Sequence, residues 1–586
     1  MTEHEATADL DEAGDGIGIE IGDHTHRVRD AVRSGSPSAV VAAVKALDWQ
    51  TIWLVAIVCI AVSMVVAAMA ALNTALSSIA EDIDATAGQQ TWILDGYTLA
   101  LAALLLPAGA LGDRIGRRGV MIAGLMLFSF ASLLAIFVDG PVQLIGTRIL
   151  AGAAAALVMP TTLSLITSNV PENKRALSIS IWSAVAGVGA IAGFFVSGVL
   201  LQFFSWKSIF IAFAAAAFAT ALICLTIGTS KDADPGRFDW PGTVASVLGV
   251  FLVVFGLLEV PTHGWTNPVV VVALIGGLVL IAAFVFIELR VRNPLLNVRL
   301  FTNRAFGGGS LSVLLQFFAS FAIFFLILQQ LQLVFGYSAL KSAVALFPLL
   351  IGTGVFSLVG NYVAVRYHSL RFVVGFGVLL AGLGILLMGL IDYDSYWVLA
   401  AFLFISATGI GLAAAPSTTA IMSNTPLDDQ GVGSAVNDTA RELGAAIGIA
   451  LTGSIVAAGY GNLIGPTADA ARSALGNPAT GGNPEAGAQA AEGITNSLAG
   501  ATKVAESITA QASAPGVPAE QAGHLQQLAH QISEGANAAF ISPMQTSCLI
   551  LGVILIVGAG FLTWFTPRRI VAEVARTWFT AVGARY

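Results

Sequence analysis

Charge is what this sequence most lacks. Only 11% of its 586 residues are Asp, Glu, Lys or Arg, against about a quarter in soluble domains, so there is too little polar surface to face water on every side. Cysteine is scarce as well. Cys59, Cys224 and Cys548 each fall inside an apolar run, which excludes a disulfide framework and any cysteine-based metal spacing. No G-x-x-x-x-G-K-[ST] loop and no HExxH occurs, nor a Ser/His or paired-acid catalytic arrangement, so neither internal ATP use nor a hydrolytic centre is encoded. The chain is therefore expected to be no enzyme and to need no cofactor or metal. Its net charge of -8 comes largely from the acidic N-terminus and acidic loops and argues against nucleic acid as a partner.

What is present is apolar sequence. Hydrophobic residues make up 56% of the chain, and the mean hydropathy is +0.82. Apolar runs of about 20 residues match a bilayer core about 30 Å thick. Inside lipid only helices and closed barrels pair every backbone group, and these runs are too continuous for alternating barrel strands. The expected fold class is all-α, a polytopic membrane protein. Fourteen spans are read near 52–76, 92–112, 119–138, 142–166, 177–200, 206–227, 241–260, 268–288, 305–335, 340–364, 371–390, 395–423, 436–459 and 543–566. The first begins too late, and is too long, to be a cleaved signal peptide.

Lys and Arg set the orientation. With the N-terminus inside, seventeen fall in cytoplasmic loops and the tail, and only Lys207, Lys341, Arg472 and Lys503 face the other side. That bias places both termini in the cytoplasm of a cell-membrane protein. Residues 1–50 read as a polar leader, with a possible surface helix over Val32–Leu47, and 567–586 as a tail. The one long external loop is 460–542. Its first part, Gly461–Gly493, reads as a disordered connector. Beyond it, Ile494, Leu498, Ala501, Ala505 and Ile508 share one helical face, as do Leu525, Leu528, Ala529, Ile532 and Ala536. A helical hairpin on the outer surface is expected, with an unstructured loop as the alternative.

The loop after the second span reads Gly109-Ala-Leu-Gly112-Asp113-Arg114-Ile-Gly116-Arg117-Arg118. It resembles the signature G-x-L-x-D-R-x-G-R-R of the major facilitator superfamily. Small residues let two helices approach closely, while Asp113 at a helix end can pair with a neighbouring dipole or an arginine across the cytoplasmic gap. A plain positive-inside anchor would explain the arginines but not the glycines or Asp113. Three more segments are similar to the fourteen-span drug:proton antiporters of that superfamily: Gln90–Tyr97 with Trp92 and Asp95, Leu144–Gly152 with Arg148, and Gly431–Gly444 with Asp438, Arg441 and Glu442. The resemblance implies two six-helix bundles, 51–230 and 301–566, with two additional spans and their linkers between them at 231–300.

The departures are specific. The first-span Asp of the family is Ala68 here, although Asn73-Thr-Ala-Leu76 follows it. The fifth-span antiporter motif keeps Gly189, Gly193 and Gly198 but has Phe194 in place of Pro and Ser197 in place of Gly. The second-half copy of the loop signature, around Gly360–Arg371, is hardly recognisable.

A charge at mid-membrane costs at least ~2.5–3.5 kcal/mol, so each ionisable residue there is a functional candidate. Asp95 and Arg148 sit at comparable depths and are expected to couple; the alternatives are a headgroup-zone cap for Asp95 and a helix-to-helix link for Arg148. Asp438 and Glu442 lie one turn apart on one face, either as a proton relay or as solvated interface charges. Arg441 is about 100° round the helix and free for another partner. Glu259 reads as the outer boundary of span seven, His263 and His368 as loop residues. Substrate-cavity candidates are Trp92, Tyr97, Phe317, Phe321 and Gln329, since aromatic faces with a few amides suit a bulky amphipathic compound. The family resemblance implies a monomeric exporter of hydrophobic small molecules that exchanges them for protons. The alternative is export of an endogenous lipid or lipophilic metabolite without protons.

Overall fold

The structure, a computed structural model, describes residues 48–83, 85, 87–231, 238–366, 369–476, 483–515 and 517–567. The leader with its expected helix over 32–47, the tail arginines from Arg568 on, Arg237 and His368 lie outside the described residues. Among those described, fourteen helices are long and apolar enough to cross a membrane. In order they are Trp49–Asp82, Ala87–Ile115, Arg117–Leu134, Pro141–Asn169, Glu172–Phe203, Lys207–Cys224, Trp240–His263, Pro268–Glu288, Arg304–Gln329, a tenth split into Ala339–Ala345 and Phe347–Arg366, Leu370–Leu390, Tyr396–Ser423, Gln430–Gly476 and Ala519–Phe565. They are numbered here as spans one to fourteen.

Many begin on a side chain that accepts from the first turn: Asp48 for span one, Asn267 for span eight, Asn303 for span nine and Ser395 for span twelve. Such caps pair backbone donors that lipid cannot serve. Asp48 also meets Lys174 at 2.6 Å, and that ammonium holds the Asp48 carboxyl well below the usual carboxylate range.

The apolar interior divides in two. One core is built mainly from spans one to six around Val58, Leu105, Phe128, Leu163 and Trp182. The other is built from spans nine to fourteen around Leu326, Ile385, Leu403 and Leu551. Span eight packs on span seven, which covers the seam where span two meets span thirteen, through Leu99, Val254, Leu257 and Ala446. Span eight turns Val272, Ile275, Leu278 and Val279 outward, as a lipid-facing helix should. All three cysteines are buried and free.

The external segment departs from expectation. Spans thirteen and fourteen are each 47-residue helices. At 1.5 Å per residue each is roughly 70 Å long, so more than half must stand clear of a 30 Å hydrocarbon core. Gly461–Gly476 therefore belongs to a helix and not to a connector. Two shorter helices, Pro484–Asn496 and Leu498–Ala512, complete a bundle outside the membrane. The stripe from Ile494 to Ile508 is real but is divided between those two helices, because Ser497 leaves the helix and caps Gly500. Ile464, Ala468, Ala471, Ile494, Ala501, Ile508 and Ile532 are buried together, and the Tyr460 hydroxyl donates to Ile494 O at 2.9 Å.

This bundle rests on an alanine-rich core, so one buried charge should open it. Ile508→Asp is expected to turn Lys503, exposed on a folded helix, into a rapid trypsin site while the spans stay intact. Unchanged protection of Lys503 in a timed digest would count against the packing described.

Candidate functional site

The signature loop lies where the two halves touch. Asp113, at the end of span two, accepts from the Gly431 and Val432 amides at 2.8 and 3.1 Å. Those amides open span thirteen, so the carboxylate caps the positive end of a helix dipole from the other half. Arg117 Nη2 lies 2.6 Å from Asp113 Oδ1 and its Nε donates to the same oxygen at 2.8 Å. The same guanidinium donates to Leu427 O at 3.1 Å, to Ser230 Oγ at 3.0 Å and to Ser168 Oγ. Arg118 donates to Ile227 O at 2.7 Å, and Arg114 stands over the Phe238 ring at 5.2 Å.

The glycines of the loop explain the closeness. A side chain on Gly109 would strike Gly431 O and Ala435, one on Gly112 would press on Thr161, and Gly116 has φ +115°, a conformation that suits glycine. A second clasp on the same face joins spans ten and five, where Asn361 Nδ2 donates to Ala176 O at 2.8 Å and Ser180 Oγ at 2.9 Å. This face is shut.

Towards the other face, span five is one continuous helix from Glu172 to Phe203. Gly193 lets it press on the Ala67 backbone and Gly189 on Val66, whereas Gly198 only meets Leu340 at ordinary contact distance. Phe194, the residue in the usual proline position, is buried 6.4 Å from the Phe324 ring of span nine. It joins the halves where a proline would have bent the helix.

Between these two closures lies a charged cluster on span thirteen. Asp438 is 0% exposed and Glu442 5%, which removes the solvated alternative. Asn437 Nδ2 donates to Asp438 Oδ1 at 3.2 Å, and Arg441 Nε stands 3.9 Å from the same oxygen. The Arg441 guanidinium lies 4.6 Å from the Trp182 ring of span five and 4.9 Å from the Phe317 ring of span nine. It is thus held between aromatic faces of both halves. Asp438 Oδ2, Glu442 Oε2, Arg441 Nε and Arg441 Nη1 are buried without a hydrogen-bond partner. Arg441 was not among the expected site residues; its place next to Glu442 in sequence made it look like a residue of another face.

The expected Asp95–Arg148 couple is not formed. Arg148 donates to Ile93 O at 3.1 Å and Ala68 O at 3.4 Å, and lies 4.4 Å from the Tyr97 ring. Two residues along a helix are 200° apart, so an arginine drawn to Tyr97 has its back to Asp95. Asp95 instead belongs to the face of span two that meets span seven, where Trp92 and Phe255 are 5.9 Å apart and Glu259 is its charged neighbour. Glu259 in turn contacts His263 at 2.8 Å, and His263 is the last residue of span seven and not a loop residue.

Of the cavity candidates, Tyr97 is enclosed in the first half, its hydroxyl donating to Val65 O at 2.9 Å. Gln329 donates back to Phe325 O at 3.0 Å. Only Phe317, with Phe321 stacked 6.1 Å away, borders the charged cluster, and Trp92 lies at the seam with span seven.

A family profile described as Major Facilitator Superfamily matches residues 58–449. The multidrug efflux pump LfrA of Mycolicibacterium smegmatis is 31% identical, with 83% of this chain and 91% of LfrA covered. The cephamycin export protein CmcT of Amycolatopsis lactamdurans is 30% identical over 74% of this chain and 89% of its own length. The methyl viologen resistance protein SmvA of Salmonella typhimurium is 30% identical over 70% of this chain and 83% of its own. Among solved structures, the proton:xylose symporter XylE aligns with a TM-score of 0.55 at 11% identity, covering 90% of this chain and 99% of XylE. A bacterial homologue of the lysosomal transporter Spinster aligns at 0.53 and 15%, covering 91% and 99%. At such identities they speak for the fold alone. The signature loop capping span thirteen thus sits in a chain that belongs, by sequence and by fold, to the major facilitator superfamily.

Proposed function

We propose that this chain exports hydrophobic or amphipathic small molecules across the cytoplasmic membrane in exchange for protons, by alternating access between its two halves. The observation that carries the reading is the enclosed Asp438–Arg441–Glu442 cluster, bordered by rings from both halves and holding carboxyl oxygens without partners. Two acids one turn apart away from water cannot both keep a charge at low cost. A proton taken up there from outside and released inside supplies ~2.3 kcal/mol per charge for each 100 mV. The excess of Lys and Arg makes the signature-loop face the cytoplasmic one, so the closed clasp at Asp113 corresponds to a transporter shut towards the cytoplasm. The names of the relatives, a multidrug efflux pump, a cephamycin exporter and a methyl viologen resistance protein, point the same way. In this reading Phe317 and Phe321 border the cargo, while Asp95 serves a local role at the span-seven seam.

The test is expression in a bacterial host stripped of its own efflux pumps, against lipophilic cations, acids and neutral antibiotics. Wild type is expected to raise resistance to several of them, and Glu442→Gln to remove that gain at equal membrane abundance. Proteoliposomes loaded with a pH dye should show proton movement on adding such a compound. Resistance untouched by Glu442→Gln and Asp438→Asn together would end the proton-exchange assignment. Altered envelope lipids without any resistance would favour a lipid cargo.

A further inference from the structure

A second pair of buried acids lies well away from the central cluster. Asp239 caps the start of span seven, accepting from the Gly242 amide at 2.9 Å through Oδ1. Glu288 ends span eight and accepts from the Leu296 amide at 3.2 Å through Oε2. Each residue is 4% exposed. Their other oxygens, Asp239 Oδ2 and Glu288 Oε1, are buried and accept no hydrogen bond among the described residues. Both free oxygens crowd over the bare Cα of Gly242, where any side chain would collide with them.

Two ionised carboxylates pressed together away from water repel strongly, and such pairs exist either around a proton or around a cation. The surrounding cations are seated elsewhere. Arg114 stands over Phe238, Arg117 holds Asp113, Arg118 donates to Ile227 O and Arg290 lies 3.8 Å from the Phe286 ring. Lys231, Arg292 and Arg299 are exposed. Among the described residues no ion pair reaches either carboxyl. A metal ion is poorly served too, because an N–H donor already points at each carboxyl and no group of three ligating side chains occurs among the described residues.

We infer that Asp239 and Glu288 form a second proton-binding site, holding one shared proton that clasps spans seven and eight together beside the signature loop. The protonated carboxyl donates its O–H to the other carboxylate, satisfying both stranded oxygens at once. The clasp fixes its neighbours on both sides. Phe238, next to Asp239, meets Trp240 edge-on at 4.9 Å and lies under Arg114. Leu295 and Leu296, tied to Glu288 through the amide of Leu296, are buried in the core of the first half. Losing the proton sets two carboxylates against each other and loosens both attachments, so the device reports the pH of the signature-loop face to the loop itself. It stands independently of the export reading, since it needs no cargo.

The test uses the full-length protein purified in detergent. Infrared difference spectra between acid and alkaline pH should show, in wild type, a protonated-carboxyl carbonyl band that both Glu288→Gln and Asp239→Asn reduce by one group. Thermal unfolding should show a midpoint that falls by a few degrees as pH rises from neutral to alkaline in wild type and markedly less in Glu288→Gln, whose amide donates permanently. Either variant alone suffices if the other fails to fold. Spectra and pH profiles that match wild type in both variants would overturn the site. So would a wild-type stability that becomes independent of pH when sodium, potassium or magnesium is added, since the ligand would then be a metal cation.

Discussion

Asp113→Ala is expected to abolish transport and to unlock the signature-loop face. The carboxylate performs two tasks at once: it pairs with Arg117 and it caps the Gly431 and Val432 amides of span thirteen. Removing one partner of a buried ion pair costs about 3–5 kcal/mol, because the remaining charge is stranded. Losing a helix cap adds about 1 kcal/mol. Since the cap joins the two halves, that loss falls on the closed state and not on the folding of either half. Counting that cap alone, a population shift of roughly fivefold away from the closed state follows. Val432→Cys is a suitable reporter: Val432 is nearly enclosed here, the replacement is smaller, and all three native cysteines are buried. A membrane-permeant maleimide should label it slowly in an otherwise wild-type chain and quickly once Asp113 is Ala. Asp113→Asn should fall between, because its amide oxygen can still accept one of the two N–H groups. Equal labelling in all three would mean that the clasp does not govern access.

Span positions were readable because lipid demands long apolar runs, and the signature loop because its glycines and Asp113 have no use as mere anchors. That Asp438 and Glu442 share one face was readable from their spacing; that they are enclosed and not solvated was not, because it depends on how span thirteen packs against the other half. Nor were the partners. Whether span four turns Arg148 to Asp95 or to Tyr97 depends on the rotation of two helices, which no local pattern encodes. The outer extension of span thirteen was hidden by its composition. Tyr460, Ile464, Ala468 and Ala471 follow a helical stripe, but glycine, asparagine and Pro466 among them gave the look of a connector. Asp239 and Glu288 belong to no motif that singles either of them out. They become a pair only when spans seven and eight fold antiparallel onto each other.

Arg441→Lys should separate charge from shape in the central cluster. Both residues are cations, so Asp438 and Glu442 keep a nearby positive charge in either case. Only the planar guanidinium can lie flat against Trp182 and Phe317 together. A desolvated cation–π contact contributes about 2 kcal/mol, a factor of roughly 30 in an equilibrium. Because the two rings belong to opposite halves, weakening these contacts shifts the balance between conformations more than it unfolds either bundle. Arg441→Lys is therefore expected to reach the membrane at normal levels, to bind the exported compound, and to transport it at least tenfold more slowly. Arg441→Ala goes further. It leaves two buried acids with no cation, so both must take a proton to stay inside, and proton exchange with the bath stops. Its transport should be absent at every external pH, whereas the Lys variant should keep the wild-type pH profile at reduced height. Spin labels placed on spans five and nine would read the same balance as a change in distance distribution. A Lys variant with full transport and an unchanged distribution would show that Arg441 acts through its charge alone and that the aromatic bridge between the halves carries no load.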